Sequence, residues 1–120
     1  AEEFFPHSSG VLSEIKNVSN ITTKTDVLKV IKPNGEWIGK AGTNERIRLF
    51  KGGANEGSQV FKELTKEGKI FHQDIEKIIY KLSDETYITY REISKSGPPT
   101  IDINVEGIEN NIKLKFLEGK

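Results

Sequence analysis

The 120 residues suit a single domain, large enough to bury a core without a metal or disulfide staple. Basic and acidic residues balance at 18 each, so the basic surplus usual in nucleic-acid binders is missing, although a local basic patch is compatible with a neutral total. With no cysteine, disulfides and cysteine-based zinc sites are excluded; no apolar run approaches the ~20 residues of a membrane-spanning helix, and AEEFF lacks the basic and apolar regions of a secretory signal.

In chain order, VLSEIKNV (Val11 to Val18) has weak helical spacing behind Ser9 or Gly10. Thr23 followed by Asp26 places a hydroxyl and a carboxylate at a helix start, and Val27, Leu28, Val30 and Ile31 supply a short apolar helix that Pro33, Asn34 and Gly35 end. EWIGK (Glu36 to Lys40) and RIRLF (Arg46 to Phe50) read as strands around an AGTNE turn. Ala54 to Glu67 is the clearest helix, with Val60, Phe61 and Leu64 on one face and Gly68 as a left-handed cap. KIFHQD, which contains His72, is read as the link from that helix to the first C-terminal strand. Four strands then follow. Lys77 to Leu82 precedes a turn at Ser83, Asp84 and Glu85. Glu85 to Ile93 is aromatic and β-branched, and Thr100 to Val105 alternates strictly. A turn over Glu106 to Asn111 leads to Ile112 to Leu117. The pattern predicts an α+β fold with N-terminal helices packed on a small, mainly antiparallel twisted sheet.

The stretch SKSGPPTIDINV (Ser94 to Val105) joins loop chemistry to strand chemistry. Gly97 allows a turn, and Pro98 and Pro99 hold the chain extended. Beyond them Ile101, Ile103 and Val105 point to one side, Thr100, Asp102 and Asn104 to the other. The neighbouring segments divide alike: Ile88 and Tyr90 against Thr89 and Arg91, and Ile112, Leu114 and Phe116 against Lys113 and Lys115. If the three strands are adjacent, one face packs on helices and the other gathers hydroxyl, carboxylate, amide, guanidinium and ammonium groups. A solvated sheet face accounts for the same alternation. The chemical variety points instead to a phosphodiester, which arginine holds bidentately and lysine as a point charge.

Two blocks resemble a known family. YREISKSGPPTIDINVEGIENNIKLKF (Tyr90 to Phe116) and GKAGTNERIRLFKGGANEGSQVFKELTKEG (Gly39 to Gly68) resemble the C-terminal toxin domains of bacterial polymorphic and contact-dependent inhibition proteins. Many of these are ribonucleases of the barnase, EndoU, colicin and RelE type of fold. The first 35 residues contribute nothing to the likeness. It implies an antibacterial ribonuclease that cleaves RNA, tRNA above all. The 2′-hydroxyl attacks its own phosphate to leave a 2′,3′-cyclic phosphate, with no metal or other cofactor. It also implies a cognate immunity protein. The domain would be the tip of a longer secreted or surface-delivered protein acting in the target cell's cytoplasm. The absence of methionine is read the same way, as a chain processed, trimmed or ending a longer protein.

On the matched positions, Arg91, with Lys95, is expected to stabilise the phosphorane charge. Ser94, Ser96 and Thr100 would bond phosphate oxygens, and Asp102 would orient Arg91 or act as base. Arg46 and Arg48 are expected to grip the RNA backbone, one of them facing away; Lys40, Thr89, Lys113 and Lys115 complete the substrate surface. His72 is the candidate general base, with His7 the only other histidine. Several features are read as incidental. GKAGTNERIR is not a nucleotide loop, and Asp74, Glu76, Asp84 and Glu85 lack metal-ligand spacing. Trp37 is read as packing, and Asn17 and Asn20 as chance glycosylation acceptors. Two rival readings stand beside the ribonuclease: a toxin deoxyribonuclease on a related scaffold, and a non-catalytic protein-binding domain.

Overall fold

The structure, a computed structural model, describes residues 21–32, 35–92, 97–104 and 111–117. The predicted helix at Val11 to Val18, the turn over Glu106 to Asn110, His7, Asn17 and Asn20 lie outside those residues, as does Val105.

Helix α1 spans Lys24–Ile31. It starts at Thr23, whose hydroxyl accepts from the Asp26 N–H, while the Asp26 carboxylate accepts from the Thr23 N–H in return. This reciprocal capping satisfies two N–H groups that the first helical turn cannot bond internally. The Thr22 N–H also donates to Asp26, at 3.0 Å, and such bonds hold its carboxyl below the usual carboxylate range. Val27, Val30 and Ile31, at helical spacing, face the core. The turn over Ser83 to Glu85 is tied to this helix start: Asp84 accepts from the Lys24 N–H at 2.9 Å, and the Ser83 hydroxyl donates to the Thr22 carbonyl at 2.7 Å.

The strands are β1 (Lys40–Ala41), β2 (Ile47–Lys51), β3 (Lys69–Gln73), β4 (Ile78–Lys81), β5 (Tyr87–Arg91), β6 (Thr100–Asn104) and β7 (Ile112–Leu117). Helix α2 (Gly53–Leu64) lies between β2 and β3. All the strands form one sheet in the order β1-β2-β7-β6-β5-β4-β3. Every pairing is antiparallel except β2 with β7. After β2 the chain crosses the sheet through α2 to the far edge, then returns as a meander until β7 lies beside β2.

The fold is therefore α+β as expected, with a mostly antiparallel sheet. The sheet has seven strands, against six read from the sequence, and only α1 precedes it among the described residues. The two helices cover one face. There Ile88 and Tyr90 of β5, Ile101 and Ile103 of β6, and Ile112, Leu114 and Phe116 of β7 meet Val60, Phe61 and Leu64 of α2. Gly57 lets the helix approach closely: a Cβ there would stand 3.1 Å from Phe116 and 3.4 Å from Tyr90.

Four local expectations change. Glu36 to Gly39 is not a strand; only Lys40–Ala41 pairs with β2. The Ile38 N–H bonds the Ile31 carbonyl at 3.0 Å, and the carbonyls of Ile38 and Gly39 accept from Arg48, so those backbone groups are satisfied without a ladder. Helix α2 ends three residues earlier than read, at Leu64, where the Thr65 N–H and hydroxyl both bond the Phe61 carbonyl. Gly68 has no left-handed backbone; its small size matters because a Cβ would press on Leu82 at 3.1 Å. The supposed link KIFHQ is strand β3, exposed along its whole length at the edge of the sheet.

Candidate functional site

Strands β5, β6 and β7 are neighbours, as the alternation required, and register decides which polar residues meet. Arg91 faces Thr100, which faces Lys115; Thr89 faces Asp102, which faces Lys113. Residues paired in this way share a face of the sheet, and the paired apolar set already occupies the helix-covered face. The hydrophilic set therefore stands together on the other side.

At its centre is Asp102, on the middle strand of the three, with a side chain only 7 % exposed. Arg91 reaches it diagonally across the ladder, Nη1 to Oδ2 at 3.3 Å, and Lys113 approaches from the opposite strand, Nζ to Oδ1 at 3.4 Å. A buried carboxylate without cations would be costly; here two flank it, and their own side chains remain 41 % and 42 % exposed. Oδ1 is buried and, despite its ion pair, has no partner in hydrogen-bond geometry. The arrangement holds two cationic head groups side by side at the surface, anchored from below by one carboxylate.

The turn before β6 supports this cluster. Gly97 has φ 106°, a left-handed conformation that glycine adopts without steric cost. The Pro99 carbonyl accepts from the Phe116 N–H at 3.0 Å, which locks the turn onto β7. Thr100 is buried, and its hydroxyl donates to the Pro98 carbonyl at 3.1 Å. Its hydrogen therefore serves the turn instead of a phosphate oxygen, a correction to the role expected of it.

The other expected residues divide. Thr89 is in the row of Asp102 and Lys113, and Lys115 is one row over. Lys40 shares a row with Leu49 and Lys115, two strands from β7 on the β1 edge. Arg46 precedes β2, and its carbonyl accepts from the Lys113 N–H. Arg48 is the arginine that faces away. It pairs with Leu114 on the helix-covered face and is buried. Its guanidinium donates to three carbonyls: Ile38 at 2.7 Å, Glu45 at 3.0 Å and Gly39 at 3.1 Å. Burial pushes its pKa down, with Glu45 opposing, and the Trp37 ring lies 5.7 Å away. Arg48 is structural, not a grip on RNA. Ser94, Lys95 and Ser96 lie outside the described residues.

His72 is not at the cluster. Its row runs through Ile79 and Thr89 to Asp102, so three strand spacings, roughly 14 Å, separate the two backbones. It pairs instead with Asp74, Nε2 to Oδ2 at 2.8 Å. That bond, with the N–H groups of Glu76 and Lys77, pulls the Asp74 carboxyl down to about 2. Histidine and carboxylate together organise the β3–β4 turn. Among the described residues, no three acidic or histidine side chains converge as a metal site would need.

One feature of the open face escaped the sequence reading. Phe71 shares the face of Lys69 by strand alternation, and a bulge between Ile70 and His72 brings His72 to the same side; the Phe71 ring centroid lies 5.1 Å from that of Tyr87. The adjacent apolar pair Ile70-Phe71, which breaks strand alternation, was the available signal.

No protein-family model, curated protein or solved structure matches this chain.

Proposed function

We propose that this chain is a metal-independent endoribonuclease, the toxic tip of a longer bacterial protein, with tRNA as substrate and a cognate immunity protein as partner. Such a tip is delivered by secretion or from the cell surface and acts in the target cell's cytoplasm. The observation that carries the reading is the Arg91–Asp102–Lys113 cluster on the open face, with 3.3 Å and 3.4 Å ion pairs across three adjacent strands. The sequence resemblance to ribonuclease toxins supports the same conclusion.

In this reaction the ribose 2′-oxygen forms a bond to phosphorus and the P–O5′ bond breaks. The 2′-hydroxyl proton is lost to a base and the departing O5′ gains one, leaving a 2′,3′-cyclic phosphate and a 5′-hydroxyl. Charge accumulates on the non-bridging oxygens on the way, and donors fixed in advance stabilise it. Arg91 carries five N–H donors in a planar fork and Lys113 adds a compact charge. Asp102 is the positioning residue: with Oδ1 buried and Oδ2 bonded to Arg91, it orients the cations instead of meeting a 2′-hydroxyl. The neutral total charge favours a second reading, a domain whose open face docks a protein without chemistry.

The test is expression in a bacterium, with total RNA run on a gel, followed by cleavage with purified protein in a chelator. Discrete fragments ending in cyclic phosphates are expected, and none from Arg91→Ala combined with Lys113→Ala. Intact RNA from the wild type, or equal cleavage by the double variant, overturns the proposal. Cleavage of DNA that needs a divalent ion would move the protein to the deoxyribonuclease class.

A further inference from the structure

We infer that Phe71 and Tyr87 form a stacking platform for the bases of single-stranded RNA. The inference rests on the ribonuclease reading and adds to it where the bases lie relative to the phosphate cluster.

Phe71 belongs to an edge strand and is 59 % exposed, one of three large apolar residues exposed among those described. Its orientation follows from strand alternation, which puts it on the same face as Lys69. Lys69 pairs with Lys81 and Ile70 with Tyr80, then the register slips and His72 pairs with Ile79. Phe71 and His72 thus both stand on the open face, and Phe71 packs on Tyr87 with the two rings tilted by 68°. That edge contact props one ring against the other and leaves aromatic surface toward solvent.

The surroundings identify the occupant. Tyr87 pairs with Lys81, and Lys81 with Lys69, so two lysines follow Tyr87 in its row, the Lys81 ammonium lying 3.4 Å from the Glu85 carboxylate. Tyr87 and Arg91 occupy the same face of β5, four residues or roughly 13 Å apart. The described strand positions of that face carry Lys69, Lys81, Arg91, Lys113 and Lys115 against two carboxylates, Asp102 between Arg91 and Lys113 and, from the adjoining turn, Glu85 on Lys81. A positive track beside aromatic faces is the pattern that holds single strands, because every base has a π face and every linkage a charge. A protein partner recognised through Phe71 alone would not call for that run of cations. Bases stacked at the Phe71 end would lead the backbone along β5 to Arg91 and Lys113.

The experiment measures binding of a fluorescent 2′-O-methyl RNA oligomer, which cannot undergo 2′-attack, and of the same oligomer without bases. Phe71→Ala is expected to weaken the base-bearing oligomer by about tenfold and to leave the abasic one unchanged. Phe71→Trp should restore binding and Phe71→Leu should not, which separates stacking from apolar packing and provides a variant that keeps side-chain bulk. If Phe71→Ala or Phe71→Leu binds like wild type while Arg91→Ala loses both oligomers, the platform is wrong and the ribonuclease reading stands. If the wild type binds neither oligomer, both fall.

Discussion

Arg48 and Arg91 lie on opposite faces of one sheet, and their surroundings differ in kind. Arg48 is buried beside the Trp37–Gly39 segment, with its guanidinium spread over three backbone carbonyls. Arg91 stands half in water, aimed at a single carboxylate that a second cation also approaches. The first arginine replaces strand hydrogen bonds that the Ile38–Gly39 segment never makes. The second is one of two cations on the buried Asp102 carboxylate, and its own head group stays half exposed. The same side chain thus acts as scaffold where backbone acceptors surround it, and as a candidate ligand-binding group where the protein leaves its donors near solvent.

Four changes test that contrast. The largest effect is expected from Arg91→Ala, which should slow RNA cleavage by at least about 100-fold. Its stability should fall by about 2 kcal/mol, since the buried Asp102 carboxylate loses one of its two cations and keeps Lys113; urea unfolding and a cleavage assay read both. A large loss of stability with cleavage intact would reverse the roles assigned to the two arginines. Next, Arg48→Ala should cost about 3 kcal/mol, because buried carbonyls lose their donors. Arg48→Lys should recover little of it, having no planar fork to serve three acceptors.

Asp102→Asn sharpens the comparison. It keeps the shape and removes the charge that anchors Arg91 and Lys113. Binding of an uncleavable RNA should hold or tighten, as one negative charge is lost, while cleavage falls about tenfold; a parallel fall in both would mean that Asp102 does not act through positioning. The smallest effect concerns acid. Hydrogen bonds hold Asp26 and Asp74 below their usual pKa of 3.8, led by the Thr22 N–H for Asp26 and by His72 for Asp74, which reaches about 2. At Asp84 burial pushes upward, yet the Lys24 N–H and Thr86 outweigh it. Groups with depressed folded pKa values contribute stability above the unfolded value and lose it as pH falls through the folded one. The chain should therefore weaken from about pH 4 toward pH 2. Asp26→Asn should flatten that decline in urea titrations, whereas Arg91→Ala should leave its slope unchanged.

Much of the site could be read along the chain. Period-two alternation in Tyr87 to Arg91, Thr100 to Asn104 and Ile112 to Leu117 assigned each residue to a face, since successive strand side chains point to opposite sides. The αL turn at Gly97 and the capping of α1 by Thr23 and Asp26 were equally local and equally legible. Arg48 was not. Its alternation matched a gripping arginine, but two of the three carbonyls that claim it belong to Ile38 and Gly39, in a segment that leaves the sheet, and the third to Glu45. His72 was misjudged for a related reason: residue type suggested a base, while register set it three strands from Asp102 and beside Asp74.

The chain by itself determined which side chains oppose one another on each strand and where turns interrupt them, because these depend on backbone geometry over a few residues. Only the tertiary structure decided which strands are neighbours: the parallel pairing of β2 with β7, the edge position of β3 and the meeting of Arg91, Asp102 and Lys113. Those contacts join residues far apart in sequence, and they are selected by burying one shared apolar face, which no short stretch of the chain can specify.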